Sequence, residues 1–283
     1  MAKLMWKPAL AESLHPLLRR RFPDIVARSE VLPSGGSGDA LIASYNIHKC
    51  VGQDGVFSPE RTISVINEIG ADIIALQEVD QRFGDRMGLL DLKALHDRCG
   101  LVPIPLKPTR KGHGWHGNMV LCREGVVKAA RQMALPGVEP RGAVIVDLDL
   151  PIGHLRIIAA HLGLLRRSRA MQVRAILDAI KAEHDIPTLL MGDLNEWRVG
   201  GNSSLRELES RFSCPTPLLP SFPAGYPVLA LDRIMGNRSR LVACTEVHDT
   251  PLSRMASDHL PVKAWVHLGS AVDGTSEGLR SAA

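Results

Sequence analysis

Short apolar runs and helical patterns alternate through the middle of the chain. The segment 72–79, DIIALQEV, is a continuous apolar run and predicts a strand buried on both faces. The segment 143–150, AVIVDLDL, alternates apolar residues with Asp147 and Asp149 and predicts a strand with one solvated face. The tripeptide PIG at 151–153 predicts a tight hairpin turn after that strand. Further strands are predicted over residues 41–47, 117–123, 154–162, 188–195, 228–235, 241–248 and 259–268.

Three segments carry helical signals. Residues 58–70, SPERTISVINEIG, have Ser58 as an N-cap, a proline in the first turn, a stripe of isoleucines and Gly70 as a stop. A shorter helix is predicted within 88–100, and a third over 168–184. The residues expected on the buried side of the third helix are Met171, Ile176 and Ile180. Strands outnumber helices, which predicts an α/β fold of two packed sheets with helices outside.

The two ends of the chain differ from this middle part. The segment 32–39, LPSGGSGD, is typical of a flexible linker. It predicts an N-terminal helical segment with its linker at 1–40 and a main domain at 41–268. Residues 8–21 fit a basic amphipathic helix, lying either on a membrane or on the domain itself. The small, polar residues 269–283 predict a disordered tail.

Composition adds limits on compartment and partners. Hydrophobic residues make up 45% of the 283 residues and charged ones 23%, which is a globular balance. The net charge of +4 favours anionic partners, although arginine clusters such as 166–169 are equally common on solvated faces. Five cysteines without a CxxC motif, no secretory signal and no apolar span predict a soluble cytoplasmic protein. Peripheral contact with the inner membrane is expected at most, through residues 1–22.

Polar residues stand at the ends of many predicted strands. The sequence MGDLNEW raises the question most sharply, because an apolar strand runs into Asp193 and Asn195. If strand geometry persists past Gly192, these two side chains share one face, where their oxygens suit a hard cation or a water awaiting deprotonation. The alternative is a simple turn. The other strand-end residues are Asn46, Glu78, His161, Asp232, Asp258 and His259.

The ordered set of motifs YNIH, LQEV, AHLG, GDLNEW, LDRI and SDHLPV resembles the endonuclease/exonuclease/phosphatase superfamily. This is the deoxyribonuclease-I-like and exonuclease-III-like group of Mg²⁺-dependent phosphodiesterases, and the resemblance covers roughly residues 41–267. It implies a four-layer α/β sandwich with the site at one end of the two sheets. The stretches YNIHKCVGQDG, HGWHGNMVL and PRGAVIVDL look like a bacterial subgroup often found beside phospholipase-D-like cardiolipin synthases.

The resemblance implies a metal site and a base. Glu78 matches the family's main metal carboxylate, with Asn46 beside it, and Asp258 matches a further ligand position, either direct or through water. The implied cofactor is Mg²⁺, with Mn²⁺ as a substitute. Asp193 matches the residue that deprotonates or orients the attacking water, and Asn195 the donor to a phosphoryl oxygen.

The resemblance also implies residues that contact the phosphate. His259 would contact it or act as a base, with its imidazole oriented by Asp232. His161 would contact the phosphate or protonate the leaving oxygen, and Asn118 and Arg141 would line the substrate pocket. The roles of three further histidines are open, and these are His48, His113 and His116.

The resulting hypothesis is a Mg²⁺-dependent phosphoesterase that hydrolyses a phosphodiester by in-line attack of water. Nucleic acid, phospholipid head groups and small phosphoesters all stay open as substrates, and the sequence indicates no obligate protein partner. The alternative is a catalytically silent module of the same fold that binds phosphate or lipid. The filled site positions Glu78, Asp193 and His259 argue against that alternative.

Overall fold

The computed structural model of the protein describes residues 39–81, 84–107, 112–123, 125–181, 186–215 and 217–268. The strands are β1 Asp39–Asn46, β2 Ile73–Gln77, β3 Val102–Pro103, β4 Met119–Cys122, β5 Val126–Leu135, β6 Arg141–Leu150, β7 Gly153–Ala160, β8 Thr188–Asp193, β9 Asp232–Gly236, β10 Val242–Val247 and β11 Val262–His267. The helices are α1 Pro59–Ile69, α2 Leu92–Cys99, α3 Arg166–Lys181 and α4 Pro251–Ala256.

The described strands form two mixed sheets. The first has the order β10-β11-β1-β2-β4-β3 and the second the order β5-β6-β7-β8-β9. In each sheet one parallel pair lies among antiparallel neighbours, β1 with β2 and β7 with β8. The carboxyl ends of a parallel pair lie at the same sheet edge, and an antiparallel neighbour begins there. Asn46, Gln77, Ala160 and Asp193 end these four strands.

Three hydrophobic clusters show that the sheets and helices stack in four layers. One cluster lies between the sheets and joins Ile73 and Val262 of the first sheet to Val146 and Met191 of the second. A second packs α1 and α2 against the outer face of the first sheet. The third packs α3 against the outer face of the second sheet, through residues such as Ile176. The predicted four-layer α/β sandwich is therefore confirmed.

The first helix begins and ends where the sequence predicts, and the second, which begins at Leu92 within the predicted 88–100, ends where it predicts. The Ser58 side chain accepts a hydrogen bond from the Arg61 N–H at the start of α1, and Gly70 ends that helix in the left-handed conformation. Gly100 ends α2 in the same way, with φ of +67°. These ends depend on local backbone chemistry, which the sequence carries directly.

Other predicted elements need correction. Met171 was expected on the buried face of the third helix, but it is 42% exposed. That face instead buries Arg169 and Gln172, whose polar groups bond to loop atoms. The strand predicted at 228–235 begins only at Asp232, and β5 was not predicted because its residues alternate poorly on an exposed edge.

Some expectations fall on residues that the structure does not describe. The helix predicted at 8–21, nearly all of the segment 1–40 and the tail 269–283 lie outside the described residues. Within the described part, no helix combines the length and the apolar character that a membrane crossing requires.

Candidate active site

The polar strand-end residues meet at one end of the two sheets. Asn46 and Glu78 stand at the carboxyl ends of β1 and β2, and His161 and Asp193 at those of β7 and β8. The start of β9 and the loop before β11 bring Asp232, Asp258 and His259 to the same end. The sheets thus deliver these side chains to one place, although they are far apart in sequence.

Asp193 lies at the centre of this group. Its Oδ2 accepts a hydrogen bond from Asn46 Nδ2 at 3.0 Å, which links the two sheets across 147 positions of sequence. Its Oδ1 accepts one from the Asn195 N–H, also at 3.0 Å. The Nε2 atoms of His161 and His259 lie 3.3 and 3.8 Å from Oδ2. Only 2% of the Asp193 residue is exposed, so this carboxylate is held by polar neighbours inside the fold.

The GDLN segment is both a turn and a site. Gly192 has φ of +143°, and a Cβ there would lie 1.8 Å from the carbonyl oxygen of Ala160, so only glycine fits. Asn195 has φ of +52°, so the strand geometry that would place both side chains on one face does not persist. The two residues meet because the Asn195 backbone turns back to the Asp193 carboxylate.

His259 is oriented by a buried carboxylate. Its Nδ1 lies 2.8 Å from Asp232 Oδ2, which also accepts a 2.6 Å hydrogen bond from the Ser221 hydroxyl. Asp232 Oδ1 is buried without a hydrogen-bond partner among the described residues. With Nδ1 facing Asp232, Nε2 is the ring nitrogen left to face Asp193. Ser221 was not identified from the sequence, since a lone serine in a loop carries no signal.

The electrostatics of this group shift two proton equilibria. Burial raises the pKa of Asp193 well above its usual range, and only the nearby His259 and the hydrogen bonds of Asn46 and Asn195 oppose that rise. Burial disfavours the His259 imidazolium, but the carboxylates of Asp232 and Asp193 outweigh burial and raise its pKa. The site therefore combines a carboxylate of raised basicity with an imidazole stabilised in its cationic form.

Arg141 approaches the same centre through His161. Its Nη1 lies 2.6 Å from His161 Nε2, and because a guanidinium can only donate, Nε2 is the acceptor. The opposite edge of the guanidinium donates two hydrogen bonds to Glu139 Oε2, at 2.8 and 3.0 Å. Asn118 is buried and donates to the carbonyl oxygens of Trp115 and Gly142, so it supports the start of β6.

Glu78 lines a small cleft. Residue 78 has φ of +60°, and its carboxylate forms an ion pair with the Lys49 ammonium. Lys49, His161, Arg141, Arg86 and His116 line this cleft together with Glu78. A carboxylate that already pairs with a cation, in a cleft shared with the His161 that faces Asp193, is a suitable place for a metal ion.

Asp258 joins the group from the last loop. The neighbouring Ser257 hydroxyl donates a 2.7 Å hydrogen bond to the Asn46 carbonyl oxygen, which places this loop beside β1. Asp258 Oδ1 lies 3.8 Å from His48 Nδ1, and its side chain is 32% exposed. Asn46 Oδ1 accepts the His48 N–H at 3.0 Å and, as an amide oxygen, keeps a second lone pair.

The donor chemistry of these residues fits a hard cation. Carboxylate and amide oxygens are the ligands that Mg²⁺ prefers, and Glu78, Asn46 and Asp258 offer both kinds. A second group of potential ligands, within the described part of the chain, is Asp193, Asp232 and His259, whose ligand atoms lie within 4.8 Å of one another. Two of these residues are already bonded to each other, which is typical of an oriented acid–base pair.

A buried ion pair supports the loops behind the site and was missed by sequence reasoning. Glu196 Oε2 accepts hydrogen bonds from Arg169 Nη2 at 3.1 Å and from the N–H and hydroxyl of Ser204 at 2.9 and 2.6 Å. Arg169 also donates to the carbonyl oxygens of Gly163 and Leu164. The only signal was the position of Glu196 within GDLNEW.

The three histidines whose roles the sequence leaves open contact carbonyl oxygens of loops. His113 Nε2 lies 2.9 Å from the Leu90 carbonyl oxygen, and His48 Nδ1 lies 3.0 Å from that of Val51. His116 Nδ1 lies 3.2 Å from the Pro140 carbonyl oxygen and the residue also lines the cleft beside Glu78. Burial lowers the pKa of His116.

Comparisons with known proteins bear on the fold and the family. YbhP of Escherichia coli strain K12, described as an uncharacterized protein, is 31% identical over 165 residues, which are 55% of this chain and 64% of YbhP. An endonuclease/exonuclease/phosphatase structure from Beutenbergia cavernae aligns with a TM-score of 0.65 and 22% identity, covering 82% of this chain and 72% of the other. The mannosyl-6-phosphatase Bt3783 of Bacteroides thetaiotaomicron aligns with a TM-score of 0.59 and 16% identity, covering 80% and 98%.

These structural likenesses establish the fold, and a family model establishes the membership. The model of the Endonuclease/Exonuclease/phosphatase family matches residues 43–259, which include every strand-end residue described above. Enzymes of this family hydrolyse phosphoester bonds and generally use divalent metal ions. The chain belongs to the Endonuclease/Exonuclease/phosphatase family.

Proposed function

We propose that this protein is a Mg²⁺-dependent phosphoesterase that hydrolyses a phosphodiester by in-line attack of water. The observation that carries the proposal is the buried Asp193 carboxylate, held by Asn46 and Asn195 and faced by two imidazoles. A buried carboxylate of raised pKa beside two imidazoles is typical of a general base, which works best with a pKa near the operating pH.

We assign Asp193 the role of general base for the attacking water. Its ionised carboxylate accepts a proton from the water as the water oxygen bonds to phosphorus, and its raised pKa makes it a stronger base than an ordinary aspartate. Asn46 and Asn195 fix both carboxylate oxygens, so the base does not rotate away from the water. As the new phosphorus–oxygen bond forms, the bond to the leaving oxygen breaks on the opposite side.

We assign His259 the role of stabilising the negative charge that develops on the phosphoryl group. Asp232 holds Nδ1 and favours the imidazolium, which leaves the Nε2–H to donate to a phosphoryl oxygen beside Asp193. On the other side, Arg141 brings a permanent positive charge, and one N–H of the Asn195 amide stays available after the other bonds to the Leu162 carbonyl. His161 holds Arg141 in reach of the phosphate.

The metal would be held by Glu78 and Asn46, with Asp258 as a further ligand, either direct or through water. When bound, Mg²⁺ neutralises charge on the phosphoryl and leaving oxygens. Lys49, whose ammonium pairs with Glu78, would bring a further positive charge beside this metal site. Mn²⁺, with the same ligand preference, is expected to substitute.

Release of p-nitrophenol from bis(p-nitrophenyl) phosphate tests the proposal. Nitrophenolate leaves without protonation, so the assay isolates the roles of base, phosphate contacts and metal. We expect turnover with Mg²⁺ or Mn²⁺, none with a chelator, and loss in Asp193→Asn. Asp147→Asn is the matched control, because Asp147 pairs with Arg156 on β6 and β7, away from the strand ends. No turnover by the folded wild-type protein with either metal would leave the silent binding module as the better hypothesis.

A further inference from the structure

Large apolar side chains are exposed on the loops that surround the candidate active site. On the side of the second sheet, Leu164 and Leu165 follow β7 and are 62% and 54% exposed, and Trp197 and Val199 follow β8 and are 45% and 61% exposed. All four lie within six residues of His161 or Asp193. Soluble proteins rarely expose several large apolar side chains together without a reason.

The side of the first sheet presents the same feature. Phe57, in the loop after β1, is 54% exposed, and Met255 of α4 is 43% exposed. The loop after β1 is bonded to α4, because the Gln53 N–H donates to the Met255 carbonyl oxygen at 3.0 Å. The Gln53 side chain donates to the carbonyl oxygen of Ser257, the neighbour of Asp258. We call these six exposed residues, on both sides of the site, the apolar rim.

The loops of the apolar rim are held firmly from behind. The Leu164 N–H donates to Glu139 Oε1 at 2.7 Å, and the Leu164 carbonyl accepts from Arg169 at 2.7 Å. Arg169 pairs in turn with Glu196, directly before Trp197. These bonds use the backbone and leave the apolar side chains outside, so their exposure is a property of the fold.

Positive charge accompanies the apolar side chains. Leu164-Leu165 run directly into Arg166 and Arg167, which are both exposed and form no ion pair among the described residues. Arg198 lies over the Trp197 ring, 4.4 Å from its centroid. Apolar tips beside arginines match the interface of an anionic bilayer, where lipid chains lie next to phosphates.

The position of the rim around the site decides between possible occupants. A protein that covered the rim would also cover the cleft and keep substrate out. A nucleic acid could stack bases only on Trp197 and Phe57, and the other four rim residues are aliphatic side chains that neither stack on bases nor contact phosphates. A bilayer surface contacts the rim and at the same time presents phosphodiesters to the residues between its two sides.

We propose that the apolar rim docks this end of the protein on an anionic lipid surface, so that the phosphodiester it hydrolyses belongs to a lipid head group. The substrate part of this inference rests on the proposed function, whereas the docking part does not. Membrane contact is thereby assigned to the loops around the site rather than to residues 1–22.

Vesicle co-sedimentation of the full chain tests the docking. We compare vesicles of phosphatidylcholine with vesicles of equal parts phosphatidylcholine and phosphatidylglycerol. Both are tested with wild type and with the double variant Leu164→Gln, Leu165→Gln. We expect wild type to bind the anionic vesicles more strongly than the neutral ones. The partition coefficient of the double variant on the anionic vesicles should be lower than that of wild type by about tenfold or more. The control is Val102→Gln with Val126→Gln, since these two valines are 50% and 59% exposed at the opposite end of the sheets and should not matter.

Three outcomes would overturn the docking proposal. The first is that wild type binds neither kind of vesicle, and the second is that it binds both equally well. The third is that the rim variant binds as well as wild type, which would place the contact elsewhere in the chain. Hydrolysis of bis(p-nitrophenyl) phosphate on the same samples separates the two proposals. Rim-dependent vesicle binding without turnover contradicts the proposed function alone, and turnover without such binding contradicts the docking alone. The rim variant is expected to keep wild-type turnover of this soluble substrate.

Discussion

Replacing Glu196 by glutamine should destabilise the protein through the loops behind the site. The Glu196 carboxylate is fully buried and accepts hydrogen bonds from Arg169, from the Arg198 N–H and twice from Ser204. Glutamine keeps the shape of the side chain but removes its charge. Its NH₂ group replaces one carboxylate oxygen, so at that position a donor faces the donor that the oxygen accepted from. Arg169, which is 3% exposed, then keeps a buried positive charge without a counter-charge.

The size of the effect follows from this burial. Breaking a buried ion pair by changing one partner typically costs about 3–5 kcal/mol. Since the glutamine oxygen still accepts some of the bonds, we expect the lower end, about 3 kcal/mol in the free energy of unfolding. For a domain of this size that is a fall in melting temperature of about 6–12 °C. Turnover well below melting should fall by about tenfold or more, because the loop that carries Asn195 shifts.

Urea denaturation and turnover, measured on the same samples, test this prediction. Glu207→Gln is the matched control, because Glu207 pairs with Arg174 at 2.7 Å but both side chains are exposed, by 45% and 65%. We expect no measurable change in the control, since water screens exposed pairs. The same denaturation midpoint in Glu196→Gln and Glu207→Gln would refute the reasoning.

The Glu196 network also predicts a dependence of stability on pH. Burial opposes ionisation, but the hydrogen bonds from Ser204, Arg198 and Arg169 outweigh it and lower the pKa of Glu196 to about 2. The folded pKa is below that of the unfolded chain, about 4.3. The stabilisation is therefore complete above the unfolded value and is lost as pH falls from there to about 2. Unfolding of Glu196→Gln, followed from pH 5 downward, should lack this component and show a shallower loss than wild type.

Four further substitutions test the site itself. Asp193→Asn should lower turnover by about 10²–10⁴-fold and His259→Ala by about 10²–10³-fold, and the double variant should be little worse than the poorer single one. Circular dichroism should show that both single variants are folded. Wild-type turnover in either folded variant would remove the role assigned to that residue. Glu78→Gln should weaken Mg²⁺ binding in calorimetric titration, and equal affinity would rule out Glu78 as a ligand. Asn195→Gly keeps the backbone at φ of +52° but loses the amide, so turnover should fall while the melting temperature holds within a few degrees.

The sequence by itself determined the elements whose signals are local. Ser58 and Gly70 define the ends of α1, because capping and the left-handed conformation depend on the residue at that position. Largely apolar runs predicted β2 and β8, since strands buried on both faces have few polar positions. The order of short motifs along the chain indicated the family, and with it the four-layer fold and the residues of the site.

Only the tertiary structure decided how those residues act on one another. Asn46 reaches Asp193 because β1 and β8 lie in different sheets packed face to face, and no local pattern reports a contact over 147 positions. The same packing buries Asp193 and so raises its pKa, which composition and spacing leave undetermined. Arg169 is buried despite its charge because Glu196 accepts its hydrogen bond inside the fold, and only the tertiary structure supplies that partner. Periodicity records which residues share a face, but the partner across the interface decides which face is inside.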